Sequence, residues 1–125
     1  GLGITNTAIM IDPSGVVTLD GGAIVTSDAR LKTGISAIPN VLEKVTQLRG
    51  VNFRWKDDAR PQGLQMGLLG QEVEAVFPEL VVESQEGIKG VSYSQLTAAL
   101  VEAIKELKSQ NDQMRKEIEA LKKTP

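Results

Sequence analysis

Apolar residues recur at alternating intervals of four and three near the end of the chain: Leu100, Ile104, Leu107, then Met114, Ile118 and Leu121. Asn111 is the polar interruption. The pattern is a heptad with Thr97, Ile104, Asn111 and Ile118 at a, and Leu100, Leu107, Met114 and Leu121 at d. It predicts one long helix over residues 94–122, with Ser94 as its N-cap. Glu117 at g and Lys122 at the following e have the spacing of an interhelical pair in a parallel assembly, and Gln110 and Arg115 repeat it. The sustained seam favours association between chains over a helix lying on its own domain. Ile at a, Leu at d and one buried Asn, taken alone, favour a dimer.

Upstream the period changes. Val41, Leu42, Val45 and Leu48 share one helical stripe, with Asn40 as cap and Gly50 as stop, which predicts a helix over 41–48. Val51 to Lys56 alternates like a half-buried strand, and Asp57 to Gly63 is a polar loop. Met66 to Gly70 reads as strand, and Gln71 to Val76 as a short helix stopped by Phe77-Pro78. Leu80 to Glu83 and Lys89 to Tyr93 read as two strands about the turn Ser84-Gln85-Glu86-Gly87. Residues 1–26 show no helical period. Ala8 to Ile11, Val16 to Leu19 and Ala23 to Thr26 are short strand-like runs, separated by turns at Asp12-Pro13-Ser14-Gly15 and Asp20-Gly21-Gly22. Such strands cannot bury both faces alone and suit a shaft whose core several chains share. The predicted class is α+β: a β-rich shaft segment over 1–26, a small mixed α/β body over 27–93, and a coiled-coil helix over 94–122.

Composition sharpens this. A chain of 125 residues suits one modest domain, yet it holds one Trp, one Tyr and two Phe. That deficit fits a core completed by other copies. The net charge is −2 with both signs interleaved, and no basic tract points to nucleic acid. No apolar run approaches the roughly 20 residues of a membrane helix, and no signal peptide is visible. The opening Gly1-Leu2-Gly3, without Met, reads as a fragment boundary. Asp12 and Asp20 read as turn residues rather than metal ligands, no Walker-type phosphate loop is present, and no cofactor is expected.

Histidine and cysteine are absent, which removes Ser-His-Asp triads and thiolate nucleophiles. Any catalysis must use Ser, Thr, Lys, Asp, Glu, Tyr or backbone groups. The stretch Thr26-Ser27-Asp28-Ala29-Arg30-Leu31-Lys32 holds a serine with a lysine five positions on. A serine hydroxyl is a weak nucleophile until a base takes its proton, and lysine is that base only when deprotonated, a form that burial favours. Ile24, Val25, Leu31 and Ile35 are apolar neighbours for such burial. A bend after Ser27 would return Lys32 to its hydroxyl, with Thr26–Ser27 as the scissile bond. Backbone N–H groups or Gln71 would stabilise the oxyanion. Asp28 would either hold Lys32 or cap the turn. By spacing alone, a capped surface turn is the commoner use of such a stretch.

Four blocks carry a resemblance. They are Ser27-Asp28-Ala29-Arg30-Leu31-Lys32 followed by Ile35; Leu48 to Lys56; Gly70 to Val81; and Gly90 to Leu96 with Leu100 to Leu107. In order and spacing, over about residues 26–110, they resemble the intramolecular chaperone domains at the C-termini of phage tail spikes and tail fibres. This is the endosialidase-type auto-processing domain, peptidase family S74. The resemblance implies a domain over 27–125 that registers three chains of the upstream fibre and then releases itself. It implies Ser27 as nucleophile, Lys32 as base and a processing role for Asp28. Gln71 and Glu72 match a residue pair of the third block and, with Thr26 before the scissile bond, are supporting candidates. It also implies a parallel homotrimer, which overrides the dimer leaning of the heptads and puts Asn111 at the trimer axis as a register device. The precursor is expected to be a virion tail component assembled in the host cytoplasm. A non-cleaving trimeric foot of a fibre or surface protein is the alternative, with Ser27 as a mere turn cap. A receptor-binding tip is disfavoured because Trp55 and Tyr93 are expected to pack in strands.

Overall fold

The computed structural model describes residues 9–11, 13, 17–19 and 25–124. The chain divides into two compact units, residues 1–35 with 52–66, and residues 36–51 with 67–125.

The second unit holds the core. It begins with α1 (Val41–Val45), shorter than the stripe predicts. Asn40 sits at the N-cap position in the left-handed conformation at φ 50°, with no capping hydrogen bond from its side chain. Instead the Leu42 N–H donates to Glu106 Oε2 at 3.1 Å, from a residue far along the chain. α2 (Gly70–Val76) ends where Phe77-Pro78 starts a 3-10 turn at Pro78–Leu80. The ring of Pro78 carries no N–H to continue the ladder. The pair β5 (Val81–Glu83) and β6 (Lys89–Val91) is antiparallel, with Val82 opposite Gly90. Its turn is closed by Gly87 at φ +81° and by Ser84, whose N–H donates to the Ile88 carbonyl at 2.9 Å while its Oγ accepts from the Ile88 N–H.

α3 (Tyr93–Lys122) runs 30 residues. It starts one residue before the predicted helix. Ser92 takes the N-cap position, its carbonyl accepting from the Leu96 N–H, so Ser94 lies inside the first turn and is not the cap. Tyr93 is therefore helical rather than in a strand. It is exposed, and its hydroxyl accepts from the Leu68 N–H at 2.9 Å.

Among the described residues, seven buried side chains form the core: Val41 from α1, Val73 from α2, Phe77, Leu80, and Leu96, Ala99 and Ala103 from α3. Ile38, Leu42, Val45, Leu48 and Leu68 pack around them. Alanine at 99 and 103 lets α3 approach α1 closely. This buried stripe is not the heptad seam. At 100° per residue it lies about 90° around the helix from Thr97, Leu100, Ile104 and Leu107. Ala103 is 5% exposed and its neighbour Ile104 is 67% exposed. Leu100, Leu107, Met114, Ile118 and Leu121 are exposed with it, as is Asn111. The predicted amphipathic helix thus has two faces, one packed on the core and one exposed among the described residues.

In the first unit, β1 (Ile9–Ile11) pairs antiparallel with β2 (Val17–Leu19), Met10 opposite Thr18. The predicted strand over 23–26 falls partly outside the described residues, and Val25 and Thr26 are irregular. β3 (Val51–Phe53) and β4 (Gln65–Gly67) form a third pair, shorter than the expected runs. Trp55 lies beyond the end of β3 and is 41% exposed, against the expectation of core packing. It meets Phe53 edge to face at 5.0 Å, and the Arg60 guanidinium lies 4.6 Å from its centroid. The observed class is mixed α/β with small two-stranded sheets and a long helix.

Candidate active site

The stretch after Thr26 folds back on itself through one 3-10 turn, Ala29–Leu31. Asp28 is its N-cap: Oδ1 accepts from the Arg30 N–H at 2.9 Å. The Leu31 N–H donates to the Asp28 carbonyl, and the Lys32 N–H to the Ala29 carbonyl, each at 3.1 Å. Both flanking residues are extended, Asp28 at φ −71°, ψ 129° and Lys32 at φ −113°, ψ 147°. A single tight turn between two extended residues reverses the chain enough for positions i and i+5 to meet. Lys32 Nζ donates to Ser27 Oγ at 2.6 Å.

Of the two roles open to Asp28 in the sequence, the geometry displays the cap. Its carboxylate is also held by the Arg30 side chain, Nη2 to Oδ2 at 2.8 Å and Nε to Oδ1 at 3.1 Å. The Arg30 side chain, and after it the Arg30 N–H, hold the Asp28 carboxyl below the usual carboxylate range. Among the described residues, the expected apolar pocket for Lys32 is not formed. Leu31 and Ile35 are each 75% exposed and Val25 is also exposed, while Ile24 lies outside the described residues. A three-residue turn with extended flanks has no second layer of its own to bury a side chain against.

Gln71 and Glu72 belong to the second unit, in the first turn of α2. Glu72 receives a forked pair from Arg49, Nη2 to Oε2 at 2.8 Å and Nε to Oε1 at 3.0 Å. The side-chain hydrogen bond from Arg49 lowers the Glu72 carboxyl below its ordinary range. Arg49 was not singled out in the sequence; its partner lies 23 residues away, beyond any local spacing rule. No cluster of metal-ligating side chains occurs among the described residues. Also among these, no helix is long and apolar enough to cross a membrane.

Residues 27–82 match the family model described as chaperone of endosialidase, Peptidase_S74. The match begins at Ser27. Over 116 residues the chain is 33% identical to long tail fiber protein Gp37 of Salmonella phage S16, covering 82% of this chain and 16% of that protein. It is 34% identical over 89 residues to the proteins of the same name from Enterobacteria phages K3 and T2, covering 66% of this chain and 7% of each. The chain therefore spans 16% or less of the length of these relatives. The resemblance read from the four sequence blocks is borne out.

Proposed function

We propose that residues 27–125 are an assembly chaperone of a phage tail fibre. They would bring three copies into register through α3 and then cut the chain between Thr26 and Ser27. The observation that carries the cleavage reading is the 2.6 Å contact between Lys32 Nζ and Ser27 Oγ across a turn closed by Asp28. The exposed seam of α3 supports the assembly reading, since an apolar stripe of this length is stable in water only when covered.

The chemistry needs Lys32 as the neutral amine. It takes the Ser27 hydroxyl proton as Oγ attacks the Thr26 carbonyl carbon, closing a five-membered ring of Oγ, Cβ, Cα, N and the carbonyl carbon. Collapse breaks the C–N bond. The Ser27 nitrogen leaves with the proton that Lys32 carried, and an ester joins Thr26 to Oγ. Water then hydrolyses the ester, freeing a Thr26 carboxylate and a new amino terminus at Ser27. The attacking group and the carbonyl belong to adjacent residues, so their effective concentration is high. Lys32 lies exposed to water in the single chain, whereas burial is what favours a neutral amine. Covering this turn on trimer formation would remove that water and time the cut to completed assembly. Each shaft strand gains little until its partners are registered, so a cut made earlier would release the chaperone before its work is done.

Intact mass of freshly purified chain, wild type beside Ser27→Ala, tests the reading. The expected result is two pieces, 1–26 and 27–125, in the wild type and one whole chain in the variant. Whole chains in both, under conditions where a trimer forms, would leave the domain as a non-cleaving foot with Ser27 as part of a surface turn. A second control separates chemistry from assembly. Leu107→Asp keeps the dyad and is expected to abolish both association and cleavage; full cleavage in a monomeric variant would refute the timing.

A further inference from the structure

Arg30 makes more hydrogen bonds than the turn requires. Its backbone N–H, taken by Asp28 Oδ1 at 2.9 Å, already closes the cap. Its guanidinium then adds Nε to Oδ1 at 3.1 Å and to Oδ2 at 3.3 Å, and Nη2 to Oδ2 at 2.8 Å. Both oxygens of Asp28 are thus occupied by one cation. Asp28 and Lys32 flank the same turn, four residues apart. A carboxylate left free there would be a counterion for the Lys32 ammonium, and an ammonium has no lone pair with which to take the Ser27 proton.

We infer that Arg30 is a positioning residue for the dyad: by clamping Asp28 it keeps that carboxylate off Lys32 and leaves the amine to Ser27. The inference rests on the dyad reading above. A guanidinium suits the task because its planar fork matches two carboxylate oxygens and stays charged at every working pH. Asp28 in turn raises the Arg30 guanidinium above its ordinary value through the same hydrogen bonds. The other charges among the described residues of this unit are Arg54, Lys56, Asp57, Asp58 and Arg60. Asp57 Oδ1 accepts from the Ala59 N–H, and Arg60 lies over Trp55. Asp28 is the carboxylate at the start of the turn that ends at Lys32.

The test reads Lys32 directly in the Ser27→Ala chain, which lacks the nucleophile and stays whole. The ε-carbon resonance of Lys32 is followed against pH in that chain, then with Arg30→Ala added, then with Arg30→Ala and Asp28→Asn together. Arg30→Ala retains the backbone N–H that Asp28 caps, and Asn retains the acceptor. Arg30→Ala is expected to move the Lys32 ε-carbon transition to higher pH, the direction an uncovered opposite charge imposes. Adding Asp28→Asn is expected to return it. In the Ser27 chain, Arg30→Ala should move the pH profile of cleavage upward and slow the cut about threefold, the effect of one opposite charge a few ångströms away in water, and Arg30→Lys should recover part of it. An unmoved Lys32 midpoint in the Arg30→Ala chain overturns the inference, as does a raised midpoint that Asp28→Asn fails to lower. If the resonance moves as expected while the Ser27 chain is never cut, the charge arrangement stands and the dyad reading falls.

Discussion

Positions 103 and 104 are neighbours in sequence, yet truncating or enlarging them should have opposite consequences. Ile104 is 67% exposed within the chain, so Ile104→Ala removes little intramolecular packing. Alanine is also the better helix former, by a few tenths of a kcal/mol, so the single chain should be unchanged or slightly stabilised. In a three-chain seam, the part of Ile104 now in water becomes covered, worth about 1.5 kcal/mol per chain. Three copies make about 4.5 kcal/mol, which is about a thousandfold in the three-chain association constant. Ala103→Ile reverses the pattern. Ala103 is 5% exposed against the core, so three added carbons would force α3 away from α1 at a cost of about 1–3 kcal/mol within each chain. Sedimentation equilibrium would give the association constants, and urea melts at low protein concentration would give the stability of the single chain. The reasoning is refuted if Ile104→Ala associates as tightly as the wild type, or if its single chain melts earlier while that of Ala103→Ile does not.

Other consequences follow from individual contacts. Glu106→Ala leaves the Leu42 N–H without its acceptor and should cost about 1 kcal/mol, with faster hydrogen exchange at Leu42; Glu106→Gln should recover most of both. Tyr93→Phe strips the acceptor from the Leu68 N–H and should cost about 1 kcal/mol in a urea melt, with the helix content unchanged. Glu72 has a folded-state carboxyl lowered by Arg49, so its stabilisation is present above the ordinary glutamate value of about 4.3 and is lost as pH falls through the lowered one. Urea midpoints of the wild type and Glu72→Gln should therefore differ at pH 7 and converge near pH 3; a gap that persists in acid would refute the pairing.

Much of this was legible in the sequence because its signals are local. The 4-3 spacing located α3 to within a residue, and Phe77-Pro78 stopped α2 where proline chemistry says it must. The i to i+5 relation of Ser27 and Lys32 was readable because a capped turn of three residues closes that distance by itself. What was not legible depends on distant partners. The cap of α1 comes from Glu106 rather than Asn40, and no rule of spacing joins residues 64 apart. Two apolar stripes share α3, and the heptad drew attention to the larger side chains while Ala99 and Ala103, the ones that touch the body, are too small to stand out. Ser94 looked like a cap because Ser is a good one, but the Ser92 carbonyl is where the helix ladder begins. Among the described residues no pocket forms around Lys32, for a related reason: apolar neighbours in sequence do not bury a residue unless another layer lies over them.

The hydrogen bond from Leu42 to Glu106 also has a meaning in time. A ribosome delivers residue 42 well before residue 106, and Leu96, Ala99 and Ala103 are likewise late arrivals to a core that starts at Val41. Until those residues emerge, the early part of the body has neither its helix cap nor the floor against which to pack. A truncated product of stalled translation would therefore stay unfolded and open to proteases, and only a chain synthesised through α3 would complete this core.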